Sequence, residues 1–388
     1  MAVLTSPERR RFIDPHNNPA MRLDWALLFV VGVLSGFGLT MIYSATRDPN
    51  PAAKSPVSAT YYLERQGIAL LVGLVVAAVV MLVDYRKLRD LWPLLYGMTL
   101  PLLAAVKFVG QGKGGTTAWF NIGPFQFQPS EVAKLVLVVS LAGFLSRHEG
   151  DFDAWRLVQA LALAGVPMAL VLYQNDLGTM LVMAVCAIAV MVVAGLKPIH
   201  LLLLILLVGS LFGGLIVSKQ FETYRLERLT GFLVQNATKS VEKQTDVEFT
   251  LQRSKAAITN GGIWGQGLYK GTLTRIPNGV PAQHTDFIFT AVGEQFGFVG
   301  GAVLLGFFGL LIWRIWRISA TSDDRFAQLV GIGFVAMFSF QVFENIGMTM
   351  GMMPITGIPL PFMSYGGSAL IAYWAALGLI VNIHFRRD

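Results

Sequence analysis

Long apolar runs separated by short polar stretches dominate the chain from residue 24 to its end. A run of about 17–25 mainly apolar residues is long enough to cross a bilayer as a helix. Ten runs meet that length, at 24–45, 66–83, 91–109, 129–146, 156–173, 177–195, 199–217, 285–312, 326–345 and 368–385. The pattern predicts an all-α polytopic membrane protein with about ten transmembrane helices and both termini on the same side.

The composition agrees with this class. Hydrophobic residues make up 54% of the chain and charged residues only 14%, whereas soluble domains carry about 25% charged residues. Residues 1–23 are polar and lack an apolar core followed by a small-residue cleavage site, so we expect no cleaved signal peptide. The single cysteine, Cys186, lies in an apolar run and fits a packing role. The predicted organisation is an N-terminal tail, 1–23, and one membrane domain, 24–388.

Basic residues predict the orientation. Fifteen of them lie in the N-terminal tail, in the loops on the same side and at the C-terminus, and five lie in the short loops of the opposite side. Because cytoplasmic loops are enriched in Lys and Arg, both termini are predicted to be cytoplasmic.

One predicted outer loop, residues 218–284 between the seventh and eighth spans, is unusually long. It is mixed in charge, then glycine-rich, and it leads directly to Asp286. Loops of this length are usually functional, although a flexible tether is the alternative. Phe249–Asn260 can form an amphipathic helix on the membrane surface, with Arg253 and Lys255 toward lipid headgroups.

Asp286 and Glu294 fall in the first third of the eighth span. A carboxylate in a span is costly and usually faces the protein interior or a watery cavity. Eight residues turn a helix by about 80° beyond whole turns, so the two acids can share one broad face. Asp286 is either a reactive carboxylate at the mouth of a cavity or an acid favoured by the helix dipole.

A second outer loop, Gly110–Gln128, leads into the fourth span at Pro129. Glu131 and Lys134 are three residues apart and can pair on one helix face, either as a structural contact or as a cavity wall. Trp119 is either an anchor at the membrane interface or a surface on which a sugar stacks.

Two further segments interrupt the apolar pattern. Asn175–Gly178 forms a tight outer turn that contains Asp176. In the segment Glu344–Ser368, three prolines together with Gly351, Gly357, Gly366 and Gly367 rule out one regular helix. Irregular backbone at membrane depth is tolerated where it lines a cavity or is buried in protein. We therefore expect the four irregular outer segments to converge on one outward-facing site.

Four motifs stand out in these segments: Q-P-S-E-x-x-K at 128–134, D-L-G-T at 176–179, H-T-D-F-I-F at 284–289 and T-G-I-P-L-P-F-M-S-Y-G-G-S at 356–368. Through them, the chain from about residue 24 resembles the SEDS family (shape, elongation, division and sporulation). T-G-I-P-L-P-F preceded by E-N-I-G-M is more similar to the rod-shape branch than to the division branch. Two positions depart from the pattern: Asn175 stands where a proline is common, and Ala118 where many relatives have a basic residue.

The resemblance implies a peptidoglycan glycosyltransferase of the bacterial cytoplasmic membrane that polymerises lipid II at the extracytoplasmic face. It implies that Asp286 is the essential acid, as general base or as ligand of a divalent cation (Mg²⁺ or Mn²⁺). The implied partners are a class B penicillin-binding protein, other proteins of the elongation machinery and membrane lipids, with no nucleic acid. The other candidate substrate-binding or cavity residues are Trp119, Glu131, Lys134, Asp176, Lys113, Arg253, Lys255, Arg275 and Ser364.

Lys113, Arg253, Lys255 and Arg275 are candidates for holding the leaving pyrophosphate. A transporter that flips the lipid-linked precursor is the alternative function, in which Asp286 would couple or gate transport. The absence of an inverted repeat in the sequence disfavours that alternative. A scaffold that only recruits the partner would leave the costly polar groups unexplained.

Overall fold

A computed structural model describes residues 23–47, 59–113, 116–123, 125–147, 153–203, 246–276 and 279–386. Within these ranges nine helices are long and apolar enough to cross a membrane. They are α1 (Trp25–Thr46), α2 (Ala59–Leu82), α3 (Tyr85–Val109), α4 (Pro129–Ser146), α5 (Ala154–Tyr173), α6 (Leu177–Ala194), α8 (Ile288–Ala320), α9 (Arg325–Met350) and α10 (Gly367–Phe385). The helical membrane fold is thus confirmed. Only residues 199–203 of the predicted seventh span lie in the described ranges, and they are helical.

Three short strands and one further helix complete the described chain. The strands are β1 (Gln111–Lys113), β2 (Thr116–Ile122) and β3 (Phe125–Phe127), and the helix is α7 (Asp246–Gly261). The strands form one antiparallel sheet in the order β1-β2-β3, where the sequence predicted only a loop. The sheet packs on the ends of α3, α4 and α10.

Helices α4, α9 and α10 form the centre of the bundle and are the most buried spans. Their polar side chains point inward, as a polar group in a span requires. Asn382 of α10, for example, is buried and donates to the backbone oxygens of Val80 and Val83 at the end of α2. Helices α2, α3 and α5 lie at the periphery and expose large apolar side chains, as lipid-facing helices do.

Basic residues tie the helices together at one end of the bundle, which we call the basic end. Arg314 of α8 pairs with Asp24 before α1, and Arg147 after α4 lies 2.8 Å from Asp90 of α3. Arg325 donates to the backbone oxygen of Val193 in α6. The sheet, the start of α8 and the end of α9 lie at the opposite end, which we call the site end.

Helix α8 begins at Ile288, not at 285, and it is broken at Gly297 (φ 64°, ψ −161°). A Cβ at Gly297 would lie 2.4 Å from the backbone nitrogen of Gly265, so only glycine allows this approach. The segment 262–267 bonds to the break, because the N–H groups of residues 298 and 299 donate to the backbone oxygens of Gly262 and Ile263. The second half of the long loop is therefore folded onto α8 and is no flexible tether.

Candidate functional site

Asp286 lies in the turn 281–287, two residues before α8, so it does not open the helix as the sequence suggested. Its N–H donates to the backbone oxygen of Ala282 at 3.0 Å. The side-chain amide of Asn345 in α9 donates to the backbone oxygens of both Asp286 and Ile358, each at 2.8 Å. Asn345 thereby fixes the position of a half-buried carboxylate against the segment 351–366.

A second carboxylate, that of Glu344, is joined to the segment that passes beside Asp286, through its contact with Thr356. Glu344 is 1% exposed and accepts a hydrogen bond from the hydroxyl of Thr356. Its other oxygen, Oε2, has no hydrogen-bond partner among the described residues. A Cβ at Gly357 would lie 3.5 Å from Oδ2 of Asp286, so the segment passes directly beside that carboxylate.

Sequence analysis missed Glu344 as a site residue because the acid lies at the end of the predicted span 326–345. Helix α9 continues to Met350 and ends where Gly351 adopts φ 75°. Glu344 therefore lies within a membrane helix, six residues before its end. An acid inside a span is itself a signal of function and could have identified it.

The irregular segments meet at the site end. Tyr365 N–H donates to the backbone oxygen of His284 at 2.8 Å, which joins the Asp286 turn to the segment 351–366. A Cβ at Gly178 would lie 2.9 Å from the backbone oxygen of Thr356, so the start of α6 contacts the same segment. The hydroxyl of Ser368 joins the sheet to α10, since it donates to the backbone oxygen of residue 126 and accepts from the N–H of residue 128.

Asp176 caps α6 and connects it to α4. Its Oδ1 accepts from Thr179 N–H at 2.9 Å, and its Oδ2 accepts from the Gln128 amide at 3.1 Å. Asn175 before it has φ 65°, a left-handed conformation that asparagine tolerates and proline cannot adopt. The proline that is common at this position in the family could therefore not form the turn seen at Asn175.

Glu131 and Lys134 form the predicted ion pair within α4. Lys134 Nζ lies 2.9 Å from both carboxylate oxygens, although only Oε1 has hydrogen-bond geometry. Both side chains are 2–3% exposed, and the ammonium lies 5.8 Å from the ring centre of Tyr373. The pair contacts the centre of the bundle and is shielded from solvent.

Trp119 lies in β2, opposite Gln111 of β1, and its neighbour Ala118 is fully buried. The side chain at position 118, where many relatives carry a basic residue, therefore points into the protein. Ser364 is 5% exposed, and its hydroxyl accepts from Leu360 N–H at 2.9 Å. That contact holds the turn at 360–364.

Glu294 does not share a face with Asp286, and that expectation is wrong. Its carboxylate is fully buried against the loop at 272–274. It accepts from the Thr272 hydroxyl at 3.0 Å and from the N–H groups of Leu273 and Thr274 at 2.8 Å each. Three donors saturate the carboxylate, and its role is to hold the loop on α8.

Helix α7 packs on protein through its inner face. Leu251, Ser254 and Ala257 are buried there against α8 and α9. The Ser254 hydroxyl donates to the backbone oxygen of Thr349 at 2.8 Å. The predicted amphipathic helix therefore exists, and its inner face contacts the bundle.

The predicted basic residues are spread over different surfaces. Arg253 lies over the ring of Phe249 at 5.2 Å, and Lys255 is half-buried on the same helix. Arg275 lines a separate pocket with Arg47. The side chain of Lys113 lies outside the described residues.

The fit to a divalent cation can be judged from the donor atoms. In the described part of the chain, no group of three or more His, Cys, Asp or Glu residues is placed to hold a metal. Mg²⁺ is commonly held by one or two carboxylates together with substrate phosphates. Asp286 and Glu344 supply that partial donor set, with Glu344 Oε2 free of other described partners.

The fold and site define a polytopic membrane protein with a pair of carboxylates at one end of its bundle. Residues 24–388 match the model of the FtsW/RodA/SpoVE family, described as cell cycle protein. The chain belongs to this family, the SEDS proteins.

Relatives and solved structures of high similarity cover nearly the whole chain. A probable peptidoglycan glycosyltransferase FtsW of Geobacter metallireducens is 33% identical, over 94% of this chain and 95% of the relative. The crystal structure of rod shape determining protein RodA of Thermus thermophilus is 32% identical, with a TM-score of 0.69 over 94% of this chain and 97% of that one. A chain from a structure on the coordination of polymerization and crosslinking by a peptidoglycan synthase complex is 34% identical, with a TM-score of 0.78 over 94% and 99%.

Proposed function

We propose that this protein is a peptidoglycan glycosyltransferase that polymerises lipid II, with Asp286 as its catalytic carboxylate. The observation that supports the proposal most is the fixed position of Asp286. Its backbone is held by Asn345, the Glu344 carboxylate contacts the neighbouring segment through Thr356, and the other irregular segments meet at the same end of the bundle. Curated relatives of similar length are named as enzymes of this kind.

The reaction joins two lipid-linked disaccharides. The 4-hydroxyl oxygen of the acceptor's terminal sugar forms a bond to the anomeric carbon of the donor. The bond from that carbon to the lipid pyrophosphate breaks, with inversion, and the pyrophosphate leaves with the bonding electrons. Asp286 accepts the proton of the attacking hydroxyl, which is a poor nucleophile at neutral pH.

A positioned general base contributes about 10²–10⁴-fold to such a step. The half-buried position of Asp286 suits this role, because the carboxylate is open to a substrate while its backbone is fixed on two sides. Asp286 and Glu344 would hold a divalent cation, which when bound neutralises charge on the pyrophosphate. Glu131 and Lys134 shape the interior behind the site rather than contact the reacting atoms.

We place the protein in cell elongation and rod-shape maintenance. The T-G-I-P-L-P-F motif at 356–362 and the preceding E-N-I-G-M at 344–348 support this assignment. Identities to FtsW, to stage V sporulation protein E and to RodA are all 32–34%, so overall similarity favours none of the three.

The site end is proposed to face the extracytoplasmic side, and the basic end the cytoplasm, in accord with the distribution of Lys and Arg. A class B penicillin-binding protein is the proposed partner that crosslinks the polymer. A related chain occurs in a structure of a synthase complex that couples polymerisation and crosslinking. Co-purification from mild detergent tests this, and a protein that recovers no such partner and polymerises unchanged when one is added would contradict it.

The central test is polymer formation from purified protein and lipid II, with and without that partner. The expected result is glycan strands that a muramidase digests. A transporter of lipid II would instead move a labelled precursor across proteoliposome membranes and form no polymer. That pattern would refute the proposed activity.

A further inference from the structure

A cavity separate from the Asp286 site lies at the site end between α1, α8 and the loop before Arg275. Its cavity volume is about 110 Å³, and it is partly open to solvent. We call it the arginine pocket, and its main lining side chains are Ser44, Arg47, Tyr269, Thr274, Arg275 and Gln295.

Among the described residues, the lining of the arginine pocket carries two positive charges and no acid. Neither Arg47 nor Arg275 forms an ion pair with any residue that the structure describes. Arg47 lies over the ring of Tyr269, 5.6 Å from its centre. One acid, Glu294, lies behind Gly271 of the wall, and its carboxylate accepts three hydrogen bonds from the loop at 272–274.

The buried polar groups of the pocket are also donors. Gln295 is 2% exposed, and its Oε1 accepts from Tyr269 N–H at 3.0 Å and from the Ser44 hydroxyl at 2.8 Å. Because a backbone N–H can only donate, the atom facing Tyr269 must be the amide oxygen. The NH₂ group of Gln295 consequently points away from these two partners.

Thr274 contributes a buried donor without a described partner. Its side chain is 3% exposed, and its hydroxyl has no hydrogen-bond partner among the residues described. Buried polar groups almost always have a partner, so this unsatisfied hydroxyl in the pocket calls for an explanation. A bound anion would accept its hydrogen bond.

We propose that the arginine pocket binds a phosphate group. Two guanidinium groups and neutral donors without an acid are the chemistry that recognises phosphate oxygens. The 22 residues of α1 extend about 33 Å, enough to cross a hydrocarbon core of about 30 Å. Arg47 directly follows α1, so the pocket lies at the level of phospholipid headgroups. The phosphate is supplied by a membrane phospholipid or by a free phosphate ion.

The pocket is distinct from the proposed reaction centre. Gln295 lies seven residues after the first residue of α8, or about 10 Å along its axis, while Asp286 precedes that helix. The pocket faces α1, whereas the Asp286 carboxylate faces α9 and Gly357. The inference therefore does not rest on the proposed polymerase activity, and its test involves no turnover.

The experiment measures binding to the purified full chain in neutral detergent by isothermal titration calorimetry. The probes are dioctanoyl phosphatidylglycerol, inorganic phosphate and dioctanoylglycerol, which has the same chains without phosphate. We expect the phosphate-bearing lipid or the free ion to bind and dioctanoylglycerol not to bind. The Arg47→Gln/Arg275→Gln double variant should bind at least about 10-fold more weakly, from the loss of charge-assisted hydrogen bonds.

Lys270→Gln is the matched control, since Lys270 is exposed on the same loop but does not line the pocket. Its affinity should stay within about 2-fold of wild type. Thr274→Val keeps the shape and both arginines and should weaken binding by about 2–10-fold through one lost hydrogen bond. If the double variant does not fold, the affinity of Thr274→Val for the phosphate probes tests the proposal instead.

Tighter binding of the lipid than of inorganic phosphate identifies a headgroup site, and equal binding identifies a site for the free ion. Either result supports the proposal. It is overturned if neither phosphate probe binds, if dioctanoylglycerol binds as well as the phospholipid, or if Lys270→Gln loses as much affinity as the double variant. Unchanged binding in the folded double variant, or in Thr274→Val, overturns it as well.

Discussion

Removing the Glu131 carboxylate should destabilise the protein strongly, because it leaves the Lys134 ammonium buried without its counter-ion. Both side chains are 2–3% exposed, and the remaining neighbour, the Tyr373 ring, lies 5.8 Å from Nζ. Breaking a buried pair by removing one partner costs about 3–5 kcal/mol. At roughly 1–2 °C per kcal/mol for a chain of this size, Glu131→Gln should lower the melting temperature by about 3–10 °C.

The assay is thermal unfolding of the purified protein in one detergent, followed by intrinsic fluorescence. Arg147→Gln is the matched control, because it breaks an ion pair of 2.8 Å to Asp90 that is about half exposed. Exposed pairs contribute about 0–1 kcal/mol, so the control should shift the melting temperature by less than about 2 °C. A double variant, Glu131→Gln with Lys134→Met, should recover most of the loss. Equal shifts for Glu131→Gln and Arg147→Gln would refute the reasoning.

Two further variants test how the site end is held together. Glu294→Gln removes charge-assisted hydrogen bonds to the loop at 272–274. Hydrogen exchange of the Leu273 and Thr274 amides should therefore accelerate by about 10-fold or more. Unchanged exchange rates would contradict the inference that Glu294 holds this loop on α8. Gly178→Ala places a Cβ 2.9 Å from the backbone oxygen of residue 356 and should destabilise the folded protein by about 1–3 kcal/mol in the same melting assay. Gly165→Ala is the control, because a Cβ there meets nothing within 4 Å, and it should be neutral or stabilising. Similar changes in melting temperature for the two glycine variants would show that α6 is not in close contact with the segment 351–366.

Hydrophobic pattern was sufficient to predict the membrane helices, because a span must be apolar along its whole length. The three-residue spacing of Glu131 and Lys134 was sufficient to predict their ion pair, because such a pair depends only on local geometry along one helix. The sheet at 111–127 was missed because its strands are three to seven residues long and gain stability from packing on α3, α4 and α10.

The errors at Glu294 and Glu344 have a common physical origin. Helix periodicity gives the face on which an acid lies but not what packs against that face. The loop at 272–274 folds over Glu294, and the segment after α9 folds back so that Thr356 contacts Glu344 and Gly357 passes beside Asp286. The arginine pocket joins residues 47 and 275, which no local pattern connects.

The most direct measurement is the rate of lipid II polymerisation by three separately purified proteins: the wild type, Asp286→Asn and Asp153→Asn. The substitution keeps size and removes the basicity of the carboxylate and most of its affinity for a cation. Asp153 caps α5 at the basic end, where asparagine caps equally well, so that variant controls for the chemical change.

We expect Asp286→Asn to fold with a melting temperature near that of wild type and to polymerise at least about 10²-fold more slowly, while Asp153→Asn keeps wild-type activity. Polymerisation by folded Asp286→Asn at a rate near wild type would contradict this expectation, because the carboxylate would then have no part in the chemistry.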